Sequence, residues 1–169
     1  MTQAIESVWN KVWMKAHPVR TAGIILHLLA RTLFGIFWLA AGINKIQKEW
    51  LTSDILQRIF QSRLTELPPD SFAVAYLQNF ALPLYKLVAW VVVWGELYAA
   101  LGLLLGLTTR PAAAVSLFIL FNLAIGGYYD ASLIPFFLLN FVFLAWPSGQ
   151  WLGFDRLLSH KYPQVRLFR

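Results

Sequence analysis

The sequence has 169 residues and no cysteine. Disulfides, thiol chemistry and cysteine-ligated iron–sulfur clusters are therefore excluded on this chain. Charge is also sparse. Asp, Glu, Lys and Arg make up 13% of the residues, against about 25% in soluble domains. Acidic residues are the scarcer sign, eight against fourteen Lys and Arg, which leaves a formal net charge of +6. Only three histidines occur. His17 and His160 lie near the ends and His27 stands alone in an apolar run, so no bis-histidine haem is visible and no metal site is expected. What fills the chain instead is apolar: 59% hydrophobic residues, with eight tryptophans and thirteen phenylalanines, above the roughly 45–50% of soluble proteins. Such a composition predicts an integral membrane protein with a single membrane domain. In that class a positive excess sets topology, so no nucleic-acid partner is expected.

Residues 1–20 place Ile5, Val8, Trp9, Val12, Trp13 and Ala16 at helical spacing, with Asn10, Lys11 and Lys15 largely on the other side. This predicts an amphipathic helix lying on the membrane or docked on a partner subunit. No small-residue cleavage site follows an apolar run here, so no signal peptide is expected. Long apolar stretches at residues 21–43, 87–107, 111–129 and 133–146 predict four spans, the last of them short. Between the first two spans, Leu51, Ile55, Ile59 and Phe60 share one helical face, and Phe72, Tyr76 and Phe80 repeat every four residues. Two short surface helices are expected there as a cap, with Asp70 as N-cap of the second. A Thr N-cap ahead of Pro111 is expected to start the third span. The predicted fold is thus all-α: an integral membrane four-helix bundle over residues 21–158, preceded by the amphipathic helix, with two surface helices between spans one and two. Residues 159–169 form a basic tail. Counting Lys and Arg by side places both termini in the cytoplasm, or its equivalent across an inner or thylakoid-type membrane.

Glu96 sits in the middle of the second apolar run, between Trp94 and Tyr98. A charge there costs about 2.5–3.5 kcal/mol on insertion scales, so it is expected to be paired, neutralised or functional. Arg31 lies roughly 15 Å into the first span, and Glu96 roughly 16 Å from the same face in the second. Equal depth predicts a buried Arg31–Glu96 pair, with Asn122 and Asn140 completing a polar constellation at that level. Two readings stand side by side. In one, these groups crosslink helices and need no ligand. In the other, they form a pocket for a quinone head group, a lipid or a proton relay, with His27 and Tyr98 as hydrogen-bond partners and Trp38 and Trp94 as walls.

These residues carry a family resemblance. Arg31-x3-Gly35-x6-Gly42-x2-Lys45 resembles the opening signature of the DoxX/DoxD family. Gly95-Glu96, followed by Leu103-Leu104-Leu105-Gly106-Leu107-Thr108-Thr109-Arg110, is similar to its second motif, and Asn122 fits on the third span. Pro147-Ser148-Gly149-Gln150-Trp151-Leu152-Gly153-Phe154-Asp155-Arg156-Leu157-Leu158 is similar to its closing motif. The resemblance implies a four-helix membrane bundle and makes Arg31, Lys45, Glu96, Arg110, Asn122 and Asp155 the matching polar positions. It adds Lys45 to the candidate quinone- or lipid-binding residues. The DoxD branch is associated with thiosulfate:quinone oxidoreductase and with terminal quinol oxidase, which implies partners in an energy-converting complex. Three functions follow as expectations: an accessory, mainly structural subunit of a respiratory or photosynthetic complex; a quinone-reactive redox subunit; and a small transporter. The ligand expected is a quinone or lipid, not a covalently bound cofactor. The partners are the bilayer and other membrane subunits. No enzymatic activity is assigned to the isolated chain.

Overall fold

A computed structural model describes residues 8–168, and every regular element among them is helical. The short helix α1 (Lys11–Ala16) is capped by Asn10, whose side chain accepts from the Val12 amide. The amphipathic helix expected from residue 5 is seen only over this second half, because Ile5 lies outside the described residues. His17 interrupts the helix, and Pro18 opens α2 (Pro18–Gln47). Its ring sets φ in advance for a first helical turn and costs no intrahelical hydrogen bond there. At 30 residues, α2 is about 45 Å long, well beyond the roughly 30 Å of a hydrocarbon core. It begins earlier and ends later than the 21–43 span expected.

Next come α3 (Ile55–Glu66) and α4 (Phe72–Tyr76), the latter continuing as a π-helical turn over Leu77–Ala81. The cap of α4 is Ser71, which accepts from the Val74 amide at 3.3 Å, rather than Asp70. Helix α5 (Tyr85–Leu105) follows, then α6 (Thr109–Leu123), which also ends in a π-helical turn, Ala124–Tyr128. Helix α7 (Leu133–Ala145), the one-turn α8 (Ser148–Trp151) and α9 (Phe154–Lys161) complete the chain up to a last 3-10 turn, Arg166–Phe168.

Among the described residues, three helices are long and apolar enough to cross a membrane: Pro18–Gln47, Tyr85–Leu105 and Thr109–Tyr128. The stretch expected as a fourth span, α7, has 13 residues, or about 20 Å of helix.

Helices α2, α5, α6 and α7 pack in chain order. The buried stripe of α2 is Leu28, Arg31, Phe34, Gly35, Trp38 and Gly42, at three- and four-residue spacing. Leu26, Leu29, Leu33 and Ile36 point outward. An apolar exterior of this kind suits lipid contact. Small residues set how closely helices approach. A Cβ on Gly35 would lie 2.8 Å from Leu104 Cγ, and one on Gly42 would lie 2.8 Å from Leu97 Cδ2. Those contacts define the antiparallel register of α2 on α5: residue 42 faces 97, and residue 35 faces 104. Helices α2 and α7 meet through aromatic rings, with Phe37 and Phe136 at 4.8 Å and Phe34 and Phe143 at 5.7 Å between centroids.

The segment joining α2 to α5 folds over one end of these helices. Leu56, Phe60, Leu77 and Ala81 form a second small core with Ala89 of α5. Arg63 ties it down by donating to the Gly127 carbonyl, with its guanidinium 5.1 Å from the centre of the Tyr128 ring.

The opposite end is closed by the C-terminal motif. Gly106, at φ +60°, ends α5 in a left-handed turn. Asp155 then accepts from the Thr108 amide at 2.6 Å, the Thr109 amide at 3.0 Å and the Thr109 hydroxyl at 2.8 Å. The N-terminus of α6 is therefore capped by a carboxylate from 46 residues downstream, rather than by a local Thr. Trp9 Nε1 donates to the Trp151 carbonyl at 2.7 Å, which puts the start of the described chain at this same end.

Candidate functional site

The expected Arg31–Glu96 pair does not form. Glu96 is 3% exposed, and its Oε1 accepts from Lys45 Nζ at 2.7 Å. Arg31 Nη2 donates to the Leu152 carbonyl at 2.7 Å, and the Asp155 carboxylate adds a favourable charge interaction. The cause is register. Depth counted from residues 21 and 107 assumes that α2 and α5 start in one plane. In fact α2 overshoots: with residue 35 facing 104, Arg31 is level with about residue 108. It thus lies about 12 residues, or about 18 Å, from Glu96 along the axis. Residue 96 instead faces the turn of α2 that carries Lys45, whose ammonium also lies 5.0 Å from the Trp50 ring centre.

The ion pair borders a cavity of about 380 Å³ enclosed by α2, α5, α6, α7 and the α3–α4 segment. Its lining is chiefly apolar, including Phe37, Leu56, Phe60, Leu77, Leu120 and Phe136. The polar groups are few and placed apart. Glu96 Oε2, Trp38 Nε1 and the Tyr128 hydroxyl are buried and have no hydrogen-bond partner among the described residues. Tyr76 donates to Asn122 Oδ1 at 2.7 Å, while Asn122 Nδ2 donates to the Phe118 carbonyl at 2.8 Å. Burial raises the Tyr76 phenol above its usual range, so it remains a neutral donor at physiological pH. Both π-helical turns border the cavity, through Leu77 and Ala81 in one and Gly126 and Tyr128 in the other. Such turns are common at functional sites because they widen a helix locally and re-aim its side chains.

The structure thus brings Trp38, Lys45, Glu96 and Asn122 to one site and sends the other candidates elsewhere. Asn140 is buried between α6 and α7, accepting from Ser116 and donating to the Phe136 carbonyl at 2.9 Å. His27 lies in a separate cleft, edge-on to Phe143 and Trp151. Trp94 and Tyr98, 53% and 40% exposed, are on the outer face of α5, and the Tyr98 hydroxyl meets Thr108 Oγ1 at 2.8 Å. Their outward direction follows from the helical period: Glu96 faces in, so positions two before and two after it turn away by about 200°. Sequence reasoning missed Tyr76, Tyr128 and Trp50. The four-residue repeat Phe72, Tyr76, Phe80 marked a helix but not which of its faces meets a cavity. Among the described residues, no group of His, Cys, Asp and Glu could hold a metal ion.

A family model described as DoxX matches residues 26–127. The matched segment contains Trp38, Lys45, Glu96 and Asn122, and stops just short of Tyr128. No curated protein and no solved structure matches the chain.

Proposed function

The chain belongs to the DoxX family of membrane proteins, and from that premise we propose that it holds a membrane-dissolved amphiphile, a quinone or a lipid, in the cavity beside Glu96. One observation carries this reading: three buried polar atoms on different helices, Glu96 Oε2, Trp38 Nε1 and the Tyr128 hydroxyl, border one apolar cavity without hydrogen-bond partners among the described residues. A buried polar group left unpaired costs about 1–3 kcal/mol, and a ligand head group that pairs with several of them recovers that cost. Trp38 donates only, Glu96 as a carboxylate accepts only, and Tyr128 does either. The set suits a head group bearing a carbonyl and a hydroxyl, attached to an apolar body that fills the rest of the cavity.

The topology that goes with this function has α7 as a fourth, short span and both termini in the cytoplasm. Lys11, Lys15, Arg20, Arg110, Arg156 and Lys161 collect at the end of the termini. At the other end, Lys48, Arg58, Arg63 and Lys86 are offset by Glu49, Asp54, Glu66 and Asp70.

The test is direct. Protein extracted gently from its native membrane is expected to carry a quinone or a defined lipid in near-stoichiometric amount, identified by mass spectrometry of the organic extract. Tyr128→Phe removes one polar atom and keeps the ring, and Trp38→Phe removes the indole N–H together with part of the ring volume. Each is expected to weaken retention of that molecule about five-fold, the worth of one hydrogen bond. A wild-type protein with no enriched amphiphile, or variants with unchanged retention, would refute the assignment.

An accessory role in a larger energy-converting complex is the companion reading. It is favoured by the start of the chain, where Val12 and Val19 are 77% and 84% exposed beside Lys11, Lys15 and Arg20. Apolar side chains displayed next to cations at a helix terminus suit contact with another subunit at the membrane boundary. Mild-detergent extraction followed by native electrophoresis is expected to show the chain migrating with partner proteins. A stable lone monomer would count against it.

A further inference from the structure

We propose that a second cleft, at the end of the molecule where the described chain begins and finishes, is a binding site for one anionic phospholipid. This cleft, of about 660 Å³, lies between the N-terminal half of α2 and the C-terminal half of α7 and shares no lining residue with the Glu96 cavity. Its volume falls in the range of about 300–1,000 Å³ typical of small-molecule sites.

The chemistry of the cleft is layered along the axis of α2. Arg20 is exposed at the mouth. Trp13, Trp146 and Trp151 also line the cleft, with Trp13 stacked on His17 and Trp151 edge-on to His27; tryptophans concentrate at the boundary between head groups and acyl chains. His27 lies on the same face of α2 as Arg20, seven residues or about 10 Å further along the axis. Its Nε2 is buried and has no hydrogen-bond partner among the described residues. Beyond it the walls are apolar, formed by Leu139, Val142 and Phe143 at helical spacing on α7 and by Ala30 on α2. Between Arg20 and His27, Gly23 contributes no side chain, and a Cβ there would meet nothing within 4 Å. Cation, half-buried imidazole and apolar wall follow one another in the order of a phosphate, a glycerol ester carbonyl and an acyl chain.

Charge selects the occupant. Arg20 shares this end with Lys11, Lys15, Arg110, Arg156 and Lys161. Among the described residues, the acidic group on the elements at this end, Asp155, is buried and engaged by Thr108 and Thr109. A lipid with a net negative head group is therefore preferred over a zwitterionic one. Each basic residue near an anionic membrane surface adds about a five-fold preference.

The experiment reconstitutes the full chain into vesicles of equal parts phosphatidylglycerol and phosphatidylcholine, re-isolates it, and counts retained lipid by native mass spectrometry. Wild type is expected to retain phosphatidylglycerol preferentially. Arg20→Gln, at an exposed position that leaves packing intact, is expected to reduce the phosphatidylglycerol-to-phosphatidylcholine ratio about five-fold. His27→Leu is expected to lower retention of both lipids without changing their ratio, because both carry ester carbonyls. Lys161→Gln, outside the cleft, is expected to leave the ratio near wild type. Four results would overturn the proposal: no preference in wild type; an unchanged ratio in Arg20→Gln; a Lys161→Gln effect as large as that of Arg20→Gln, which marks a diffuse basic end; or full competition by soluble glycerol phosphate, which marks a free-anion site. Unchanged retention in His27→Leu would remove the imidazole from the site.

Discussion

Lys45→Met is expected to destabilise the folded protein by about 3–5 kcal/mol, the usual cost of removing one member of a buried ion pair. The Glu96 carboxylate is 4% exposed as a side chain and takes the Lys45 ammonium at 2.7 Å. Its other oxygen has no partner among the described residues. Without Lys45 the carboxylate stands against Trp38, Val92 and Leu120 in an apolar cavity, where nothing replaces the lost solvation. The double variant Lys45→Met/Glu96→Leu removes both charges at similar volume and is expected to recover most of the loss, because a hydrophobic pair often equals or exceeds a buried ion pair in stability. Unfolding of purified Lys45→Met, Glu96→Leu and the double variant in detergent gives the three free-energy differences needed for a double-mutant cycle. A cycle with no coupling between positions 45 and 96 would show that the pair contributes nothing to stability. Glu96→Gln then separates structure from ligand binding. A variant that accumulates normally but loses the bound amphiphile assigns Oε2 to the ligand. A variant that fails to accumulate assigns Glu96 to the fold.

The second large effect is expected at the other end of the molecule. Asp155→Ala should cost about 3 kcal/mol or more, since hydrogen bonds to charged groups contribute about 1.5–3 kcal/mol each and the Thr108 amide, Thr109 amide and Thr109 hydroxyl all donate to this one carboxylate. The carboxylate also sits at the positive end of the α6 dipole. The surroundings leave no slack for compensation. A Cβ on Gly149 would collide with both Asp155 Oδ2 and Thr109 Oγ1, and one on Gly153 would strike the Gly106 backbone at 2.6 Å. Asp155→Asn keeps one acceptor oxygen but turns an amide NH2 toward a donor, so it is expected to lose roughly half as much. Thermal unfolding measures the cost. Faster tryptic cleavage at Arg156 and Lys161 shows whether α9 detaches first. Arg156→Gln, one residue away and outside the network, is the control expected to stay within about 0.5 kcal/mol of wild type. If Asp155→Ala melted like that control, the closing motif would not be what holds this end together.

Part of this arrangement is legible in the sequence because it is written within single helices. A run of apolar residues long enough to cross a bilayer announces a span wherever it occurs, so α2, α5 and α6 are readable directly. The three- and four-residue spacing of Arg31, Gly35, Trp38 and Gly42 identifies the buried face of α2, since side chains so spaced share one side of a helix. Glu96 is recognisable as an anomaly because a carboxylate amid Trp94, Leu97 and Tyr98 is costly in any packing. Lys45 stands in the family signature, though nothing local to it reveals its partner.

The sequence by itself therefore determined that this is an all-helical membrane protein, where its long helices lie, and which of their polar residues require an explanation. Only the tertiary structure decided who meets whom. The axial offset between α2 and α5 is set by where Gly35 and Gly42 admit Leu104 and Leu97, and by how far α2 extends past its neighbour. Neither helix encodes that offset alone, and an error of about three turns moves a charge by about 16 Å. The offset carries Arg31 to the C-terminal motif, gives Glu96 to Lys45, and leaves one carboxylate oxygen bordering a cavity. Tyr128 joins that cavity from the π-helical end of α6, and Tyr76 from the last α-helical residue before the π-helical end of α4; no 3.6-residue pattern anticipates those widened turns.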